Sequence, residues 1–147
     1  MKYQELVDVY SALENTTKRL EKTQIISNFL LKLDSTTLEQ VGLLILGSIF
    51  PAWSDKEIGI GNKLVMQAVG EAVGVTPDKV EDAVRDQGDI GLACISLYAK
   101  KSQTTFFSQP LTIDFVFKSL RKLSEKSGAR STKRKIDIIL EMLSQAS

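Results

Sequence analysis

Apolar side chains recur every three or four residues along almost the whole chain, which is the spacing of one face of an α-helix. The first two helices are predicted over residues 3–10 and 20–33. A third is predicted over residues 36–50, with Pro51 as its stop. The sequence of that helix, through VGLLILGSIF, is so apolar that we expect it in the middle of the core. Trp53, just beyond it, is expected to pack beneath the loop that follows.

Further helices are predicted from residues whose side chains accept hydrogen bonds from the free N–H groups of a first helical turn. These capping residues are Asn62, Thr76, Asp89, Thr112 and Ser131. A box of the type S-x-x-E, Ser54 to Glu57, predicts one more short turn. No alternation of apolar and polar residues indicates a strand, and no linker or repeat is found. The chain is therefore predicted to be one all-α domain over residues 1–147, with roughly eight or more helices.

The charge of the chain is unevenly distributed. Residues 1–99 carry 9 basic and 14 acidic side chains, whereas residues 100–147 carry 10 basic and 4 acidic ones. The two parts differ in net charge, −5 against +6, although the whole chain is only +1. A basic segment of this size indicates a surface for a polyanion, and a solvated basic surface without a ligand is the alternative.

The sequence does not contain the residues that several common kinds of catalytic centre require. There is no histidine, which removes the commonest general base and metal ligand. Cys94 is the single cysteine, so a cysteine zinc site is excluded, and its apolar neighbours predict a buried, unreactive thiol. No phosphate-binding loop of the type G-x-x-x-x-G-K-[ST] occurs. A binding module is therefore favoured over a free-standing enzyme, with no catalytic residue and no metal ligand.

Marks of export and of membrane insertion are also lacking. No run of about 20 apolar residues is present. The first ten residues, MKYQELVDVY, contain no apolar signal segment. We therefore expect a cytoplasmic protein that does not contact a membrane.

Glycine opens three of the predicted helix starts, at residues 59–63, 88–91 and 128–131. The free N–H groups of a helix start bind phosphate well, and glycine lets the backbone approach a ligand closely. In the first and third starts, cations follow within the first turn, although the helix dipole disfavours cations there. A bound phosphate would offset that cost, because it would interact with both the N–H groups and the cations. Turn geometry alone is the alternative explanation for the glycines of the first two starts.

Four stretches of the sequence match a known pattern in order and spacing. A phenylalanine-proline pair and a glycine-x-glycine turn occur in IFPAWSDKEIGIGNKLV, and a glycine-aspartate-x-glycine helix start occurs in DQGDIGLA. A proline-leucine-threonine helix occurs in PLTIDFVFKSLRKLS, and a glycine loop followed by K-x-K-I occurs in SGARSTKRKIDIIL. With the opening MKYQELVDVYSALENTTKRLEKTQIISNFL, they resemble the N-terminal DNA-binding domain of archaeal ATP-dependent DNA ligases over essentially the whole chain.

The resemblance implies an all-helical, monomeric domain of two roughly related halves that binds nicked double-stranded DNA across the minor groove without sequence preference. It also implies two further domains that use ATP, a covalent lysine–AMP and Mg²⁺ to join the DNA ends, and a place on the nucleoid of a prokaryote. The family's nucleophile motif, lysine-x-aspartate-glycine, does not occur here, because the sequence contains no Asp-Gly pair. This segment by itself is therefore expected to bind neither ATP nor metal and to be non-catalytic.

DNA contacts are predicted in three parts of the chain. They are Gly59, Gly61, Lys63, Lys100, Lys101, Gly128, Arg130, Ser131, Thr132, Lys133 and Lys135. These residues are expected to contact the sugar–phosphate backbone, because no helix is rich in the Arg, Asn and Gln side chains that read base edges.

Two phenylalanines stand in an otherwise polar stretch, KKSQTTFFSQP, at residues 100–110. Gln103, Phe106 and Phe107 resemble a shortened form of the motif by which archaeal ligases bind the replication sliding clamp. A helical scaffold that docks on this clamp is therefore the alternative function. Burial of both rings inside the loop is the other interpretation, because each ring gains about 1.5–3 kcal/mol when it leaves water.

Overall fold

The computed structural model describes residues 1–100, 109–126 and 131–146. Within these residues the chain forms eight α-helices and no strand, apart from one antiparallel bridge between Lys2 and Thr112. The helices are α1 (Tyr3–Glu14), α2 (Arg19–Leu30), α3 (Ser35–Ile45), α4 (Asn62–Val73), α5 (Pro77–Gln87), α6 (Ile90–Ala99), α7 (Ile113–Ser124) and α8 (Ser131–Ala146). The predicted all-α fold is confirmed.

The chain divides into two compact units. Unit 1 comprises Met1–Glu57 and Pro110–Arg121, and unit 2 comprises Ile58–Gln109 and Lys122–Ser147. Unit 1 therefore contains α1 to α3, and unit 2 contains α4 to α6 and α8, while α7 contributes residues to both.

The core of unit 1 is formed by side chains from α1, α2, α3 and α7, together with Ile49. Its most deeply buried members include Leu6, Val41 and Ile113. The buried Gln40 of α3 donates its side-chain N–H to Asp114 of α7 at 2.8 Å. Lys118 pairs with the same carboxylate at 2.8 Å, and this bond, followed by the one from Gln40, lowers the pKa of Asp114. The polar contact satisfies a buried amide that would otherwise destabilise the unit.

Helix α3 is shorter than the sequence predicted. It begins behind Asp34, whose carboxylate accepts the N–H groups of Thr36 and Thr37 at 3.0 Å, and it ends at Ile45 instead of Phe50. The predicted stop at Pro51 was wrong because the chain turns earlier, at Gly47.

The turn that ends α3 is a Schellman motif. Gly47 adopts φ +70°, and its N–H donates to the Leu44 carbonyl at 3.0 Å. The Ser48 N–H donates to the Leu43 carbonyl at 2.9 Å, which completes the pair of bonds that defines the motif. Leu46 at this turn is 80% exposed, whereas Val41 and Leu44 before it and Ile49 after it are buried.

The segment between α3 and α4 contains no helix, so the turn predicted at residues 54–57 was wrong. Trp53 is 86% exposed, and the prediction that it packs beneath this loop was also wrong. Arg121 of α7 holds the segment instead, because its Nε–H donates to the Ile49 carbonyl at 3.0 Å. The guanidinium group also lies 4.4 Å from the centre of the Phe117 ring and 5.7 Å from that of Phe50.

In unit 2, α4 packs against α5, α6 and α8. It buries Ala68, Val69 and Val73 on one face, while its first two residues stay exposed. Helix α4 ends at Gly74, which adopts φ +77°. Because α4 packs against three other helices, the position of its exposed first turn is fixed.

The predicted caps agree with the structure to within one residue. Asp89 accepts the Leu92 N–H at 2.9 Å, Thr112 accepts the Phe115 N–H at 3.2 Å, and Thr76 occupies the N-cap of α5. Two assignments were wrong by one position, because Gly61 and not Asn62 is the N-cap of α4, and Ser131 is already the first residue of α8.

Candidate nucleic-acid interface

The loop before α4 presents a helix start that no side chain caps. Gly61 occupies the N-cap and has no side-chain acceptor. The Leu64 N–H donates to the Gly61 carbonyl at 3.0 Å, whereas those of Asn62 and Lys63 have no partner among the described residues. Free N–H donors at a helix start, with a cation beside them, stabilise an anion.

The first turn of α8 lies beside this loop. The Nζ of Lys135 donates to the Gly59 carbonyl at 2.7 Å, although 76 positions separate the two residues in the chain. Gly59 adopts φ +63°, and a Cβ placed on it would lie 3.4 Å from the same Nζ. The Lys135–Gly59 bond therefore brings the start of α8 beside the first glycine-opened start. We call the set Gly59, Gly61, Lys63, Ser131, Thr132, Lys133 and Lys135 the α4–α8 junction.

Two of the three cations of the junction, Lys63 and Lys133, are open to solvent. The side chains of Lys63 and Lys133 are exposed, and so is that of the neighbouring Arg134. Salt bridges in the described part of the chain join Lys18 to Glu21, Arg85 to Asp82 and Lys118 to Asp114, and none of these involves a residue of the junction. A basic surface that is not neutralised by neighbouring carboxylates attracts polyanions.

The second glycine-opened start has a structural explanation. Gly88 ends α5 with φ +73°, and Asp89 then caps α6. A Cβ on Gly91 would lie 3.0 Å from the Asp89 carboxylate, so glycine makes room for the cap. The cleft of about 510 Å³ beside this start is lined by Glu81 and Asp89 as well as Arg85. Two carboxylates at its edge disfavour a phosphate there.

Lys100 lies apart from the junction. It is the C-cap of α6, where the helix dipole by itself stabilises a cation. Tyr98, close before it, donates its O–H to the Leu143 carbonyl at 3.3 Å. Leu143 follows Lys133 along α8 by about 15 Å at the rise of an α-helix. A DNA contact by Lys100 would therefore be made at a separate point.

Several predicted site residues lie outside the described residues. They are Lys101, Gln103, Phe106, Phe107, Gly128 and Arg130. Their predicted roles, in DNA contact for Lys101, Gly128 and Arg130 and in clamp binding for the other three, stay predictions.

Two neighbours of the junction were missed as candidate contacts. Asn62 supplies one of the free N–H groups, and Arg134 continues the exposed basic turn. For Arg134 the signal was present, since it stands between two of the predicted contacts in the run Lys133-Arg134-Lys135. For Asn62 the signal was hidden. The sequence predicts this residue at the N-cap, where its side chain and not its backbone N–H would act.

Other kinds of site are not found among the described residues. In these ranges, no three His, Cys, Asp or Glu side chains lie close enough together to hold a metal ion. No helix in the same ranges is long and apolar enough to cross a membrane. Cys94 is half-buried, and burial raises the pKa of its thiol.

Comparison with known proteins relates the chain to one family. The family described as DNA ligase N terminus matches residues 2–147. A DNA ligase from Methanothermobacter thermautotrophicus is 52% identical over 144 residues, which cover 98% of this chain and 26% of the relative. A DNA ligase from Thermococcus onnurineus is 42% identical over 146 residues, which cover 99% of this chain and 26% of the relative. A DNA ligase from Methanocaldococcus jannaschii is 32% identical over 151 aligned residues, which cover 100% of this chain and 26% of the relative. The chain thus spans about a quarter of the length of these relatives.

Proposed function

The chain belongs to the DNA ligase N-terminus family, and from that membership we propose that it holds nicked duplex DNA for an ATP-dependent DNA ligase. The rest of such an enzyme would supply the lysine nucleophile and use ATP and Mg²⁺ to seal the nick. This segment would contribute no catalytic residue. It would act as a monomeric module on the nucleoid DNA of a prokaryote.

The observation that carries the proposal is the α4–α8 junction. Lys63 is exposed at the start of α4 and Lys133 at the start of α8, and the N–H groups of Asn62 and Lys63 have no partner among the described residues. This combination matches the chemistry of a sugar–phosphate strand, which offers closely spaced anionic oxygens and no need for base-specific donors. The resemblance to the ligase family adds that the strand would be approached from the minor groove on both sides of the nick.

Salt dependence is the first test of this function. We expect the affinity of the 147-residue chain for a nicked duplex to fall by nearly one power of salt concentration for each phosphate contacted. With four to six contacts, the slope of log K against log salt would be about −4 to −5. Fluorescence anisotropy on labelled AT-rich and GC-rich nicked duplexes should give the same slope and similar affinities. A flat salt profile, or a strong preference for one sequence, would rule out backbone recognition.

Binding to the sliding clamp is the second function proposed from the sequence, through Gln103, Phe106 and Phe107. Replacing both phenylalanines with alanine is expected to abolish clamp binding, because the paired rings would supply most of the apolar contact. Nicked-DNA affinity should stay within about twofold, since phosphate contacts dominate it. Surface plasmon resonance against immobilised clamp checks the first expectation and anisotropy the second. Unchanged clamp binding would eliminate this motif.

A further inference from the structure

We infer that Lys135 is a positioning residue that fixes the Gly59 loop for DNA, and that it does not itself contact phosphate. The inference rests on the proposed function and refines the role of one member of the α4–α8 junction. It assigns the phosphate contacts of the junction to Lys63 and Lys133 and to the N–H groups that start α4.

Lys135 differs from its basic neighbours in where its charge lies. Its side chain is only half-exposed, whereas those of Lys133 and Arg134 are exposed. Its Nζ is engaged with the Gly59 carbonyl at 2.7 Å, a distance typical of a strong, charge-assisted hydrogen bond. One of the three N–H donors of this ammonium group is therefore committed to the loop, and its charge is less open to a DNA strand than those of Lys133 and Arg134.

The Gly59 loop is a segment that needs such a restraint. Gly59 adopts φ +63°, and it is followed after one residue by a second glycine, so the backbone between them has few steric limits of its own. In a trans peptide the C=O and N–H groups point in opposite directions. A bond that holds the Gly59 carbonyl against α8 therefore also directs the Ile60 N–H away from α8 and fixes the approach of the chain to Gly61.

Fixing this loop favours binding by increasing the fraction of molecules that are ready to bind. An affinity measured on a protein whose competent conformation is populated for a fraction of the time is reduced by that fraction. If loss of the Lys135 bond leaves the loop in its bound orientation for about one fifth of the time, the apparent Kd rises about fivefold. This loss would be independent of salt, because no counterion is released from the site of Lys135.

The salt slope separates a positioning role from a contact. We expect Lys135→Met to raise the Kd for a nicked duplex about fivefold with an unchanged slope of log K against log salt. Lys133→Met should instead make the slope less steep by about 0.9, as expected for one lost phosphate contact. A slope that becomes less steep for Lys135→Met as well, or a Kd that does not change, would overturn the inference while the proposed function stands.

A measurement without DNA keeps the two proposals separable. In nuclear magnetic resonance spectra of the free 147-residue chain, Lys135→Met should shift and broaden the amide signals of Gly59 to Asn62, and Lys133→Met should leave them in place. If the wild-type chain shows no salt-dependent binding, the proposed function fails, and these spectra still decide whether Lys135 orders the loop. Unchanged signals in Lys135→Met would show that it does not.

Gly59 provides the reciprocal variant. Gly59→Ala places a Cβ 3.4 Å from the Lys135 Nζ at a φ of +63°, so we expect the same loss of affinity with the same unchanged slope. The matched control is Gly74→Ala, in the same unit, where φ is +77° and nothing lies within 4 Å of the new Cβ. Both variants carry similar backbone strain. Equal effects of the two on DNA binding would attribute the loss to strain and contradict the positioning role.

Discussion

Replacing Lys63 and Lys133 together with glutamate is expected to weaken binding of nicked duplex DNA at least about 100-fold at 0.1 M salt. At that concentration, the counterions released by one phosphate contact contribute about a factor of ten in affinity, and the variant loses two contacts. The glutamates add repulsion from the phosphates, so the loss should exceed that of two neutral replacements. Anisotropy titrations over a salt series should also show a slope less steep by about 2.

The matched control for that variant is Lys22→Glu with Lys32→Glu in unit 1. Both lysines have exposed side chains, neither is among the predicted contacts, and each pair of exchanges lowers the net charge by about four. We expect the control to weaken binding less than about fivefold, because only the long-range field changes. Equal losses in the two variants would show that total charge, and not the α4–α8 junction, determines affinity.

The parts of the fold that were predictable from sequence are those with local chemistry. Asp89 caps α6 and Thr112 caps α7, because a side-chain acceptor close to a helix start needs only the next three residues to act. The end of α4 at Gly74 depends on equally local chemistry, since a residue in the left-handed conformation ends a helix.

The predictions from sequence were wrong where two local signals compete to end a helix, and where tertiary packing determines which side chain is buried. Gly47 and Pro51 could each end α3, and the sequence alone does not show that the glycine acts first. Trp53 was expected to pack beneath the loop because it follows Pro51. The segment is instead held by Arg121, whose guanidinium group lies 5.7 Å from the centre of the Phe50 ring and binds the Ile49 carbonyl, 72 positions away in the chain. Contacts of that separation have no local signature.

The candidate site shows the same division. The basic turn at residues 133–135 and the glycines at 59 and 61 were both predicted, each from its own stretch of sequence. Their proximity could not be predicted, because it depends on the packing of α4 against α8. The separate position of Lys100 follows from tertiary packing too, since Tyr98 contacts the far part of α8. The sequence thus indicated the residue types of the candidate surface, and the fold determines which of them lie near one another.

Gly70→Ala is expected to destabilise unit 2 by about 2 kcal/mol, as an overpacked core residue does. Gly70 is buried in α4, and a Cβ there would lie 2.8 Å from the Val75 carbonyl and 3.5 Å from Val80 of α5. The Val75 carbonyl belongs to the short backbone segment between α4 and α5, so it cannot rotate away as the end of a flexible side chain could. The melting temperature measured by circular dichroism should fall by about 6 °C.

The control for Gly70→Ala is the same exchange at Gly42, inside α3 of unit 1. Nothing lies within 4 Å of a Cβ at Gly42, so only the helix propensity changes there. Alanine is favoured over glycine in a helix by about 1 kcal/mol, and Gly42→Ala should therefore raise the stability. The two variants are thus expected to change stability in opposite directions, since the local preference for alanine is the same and only the packing differs. A stabilised Gly70→Ala variant would mean that α4 and the start of α5 are not packed as closely as the 2.8 Å separation requires.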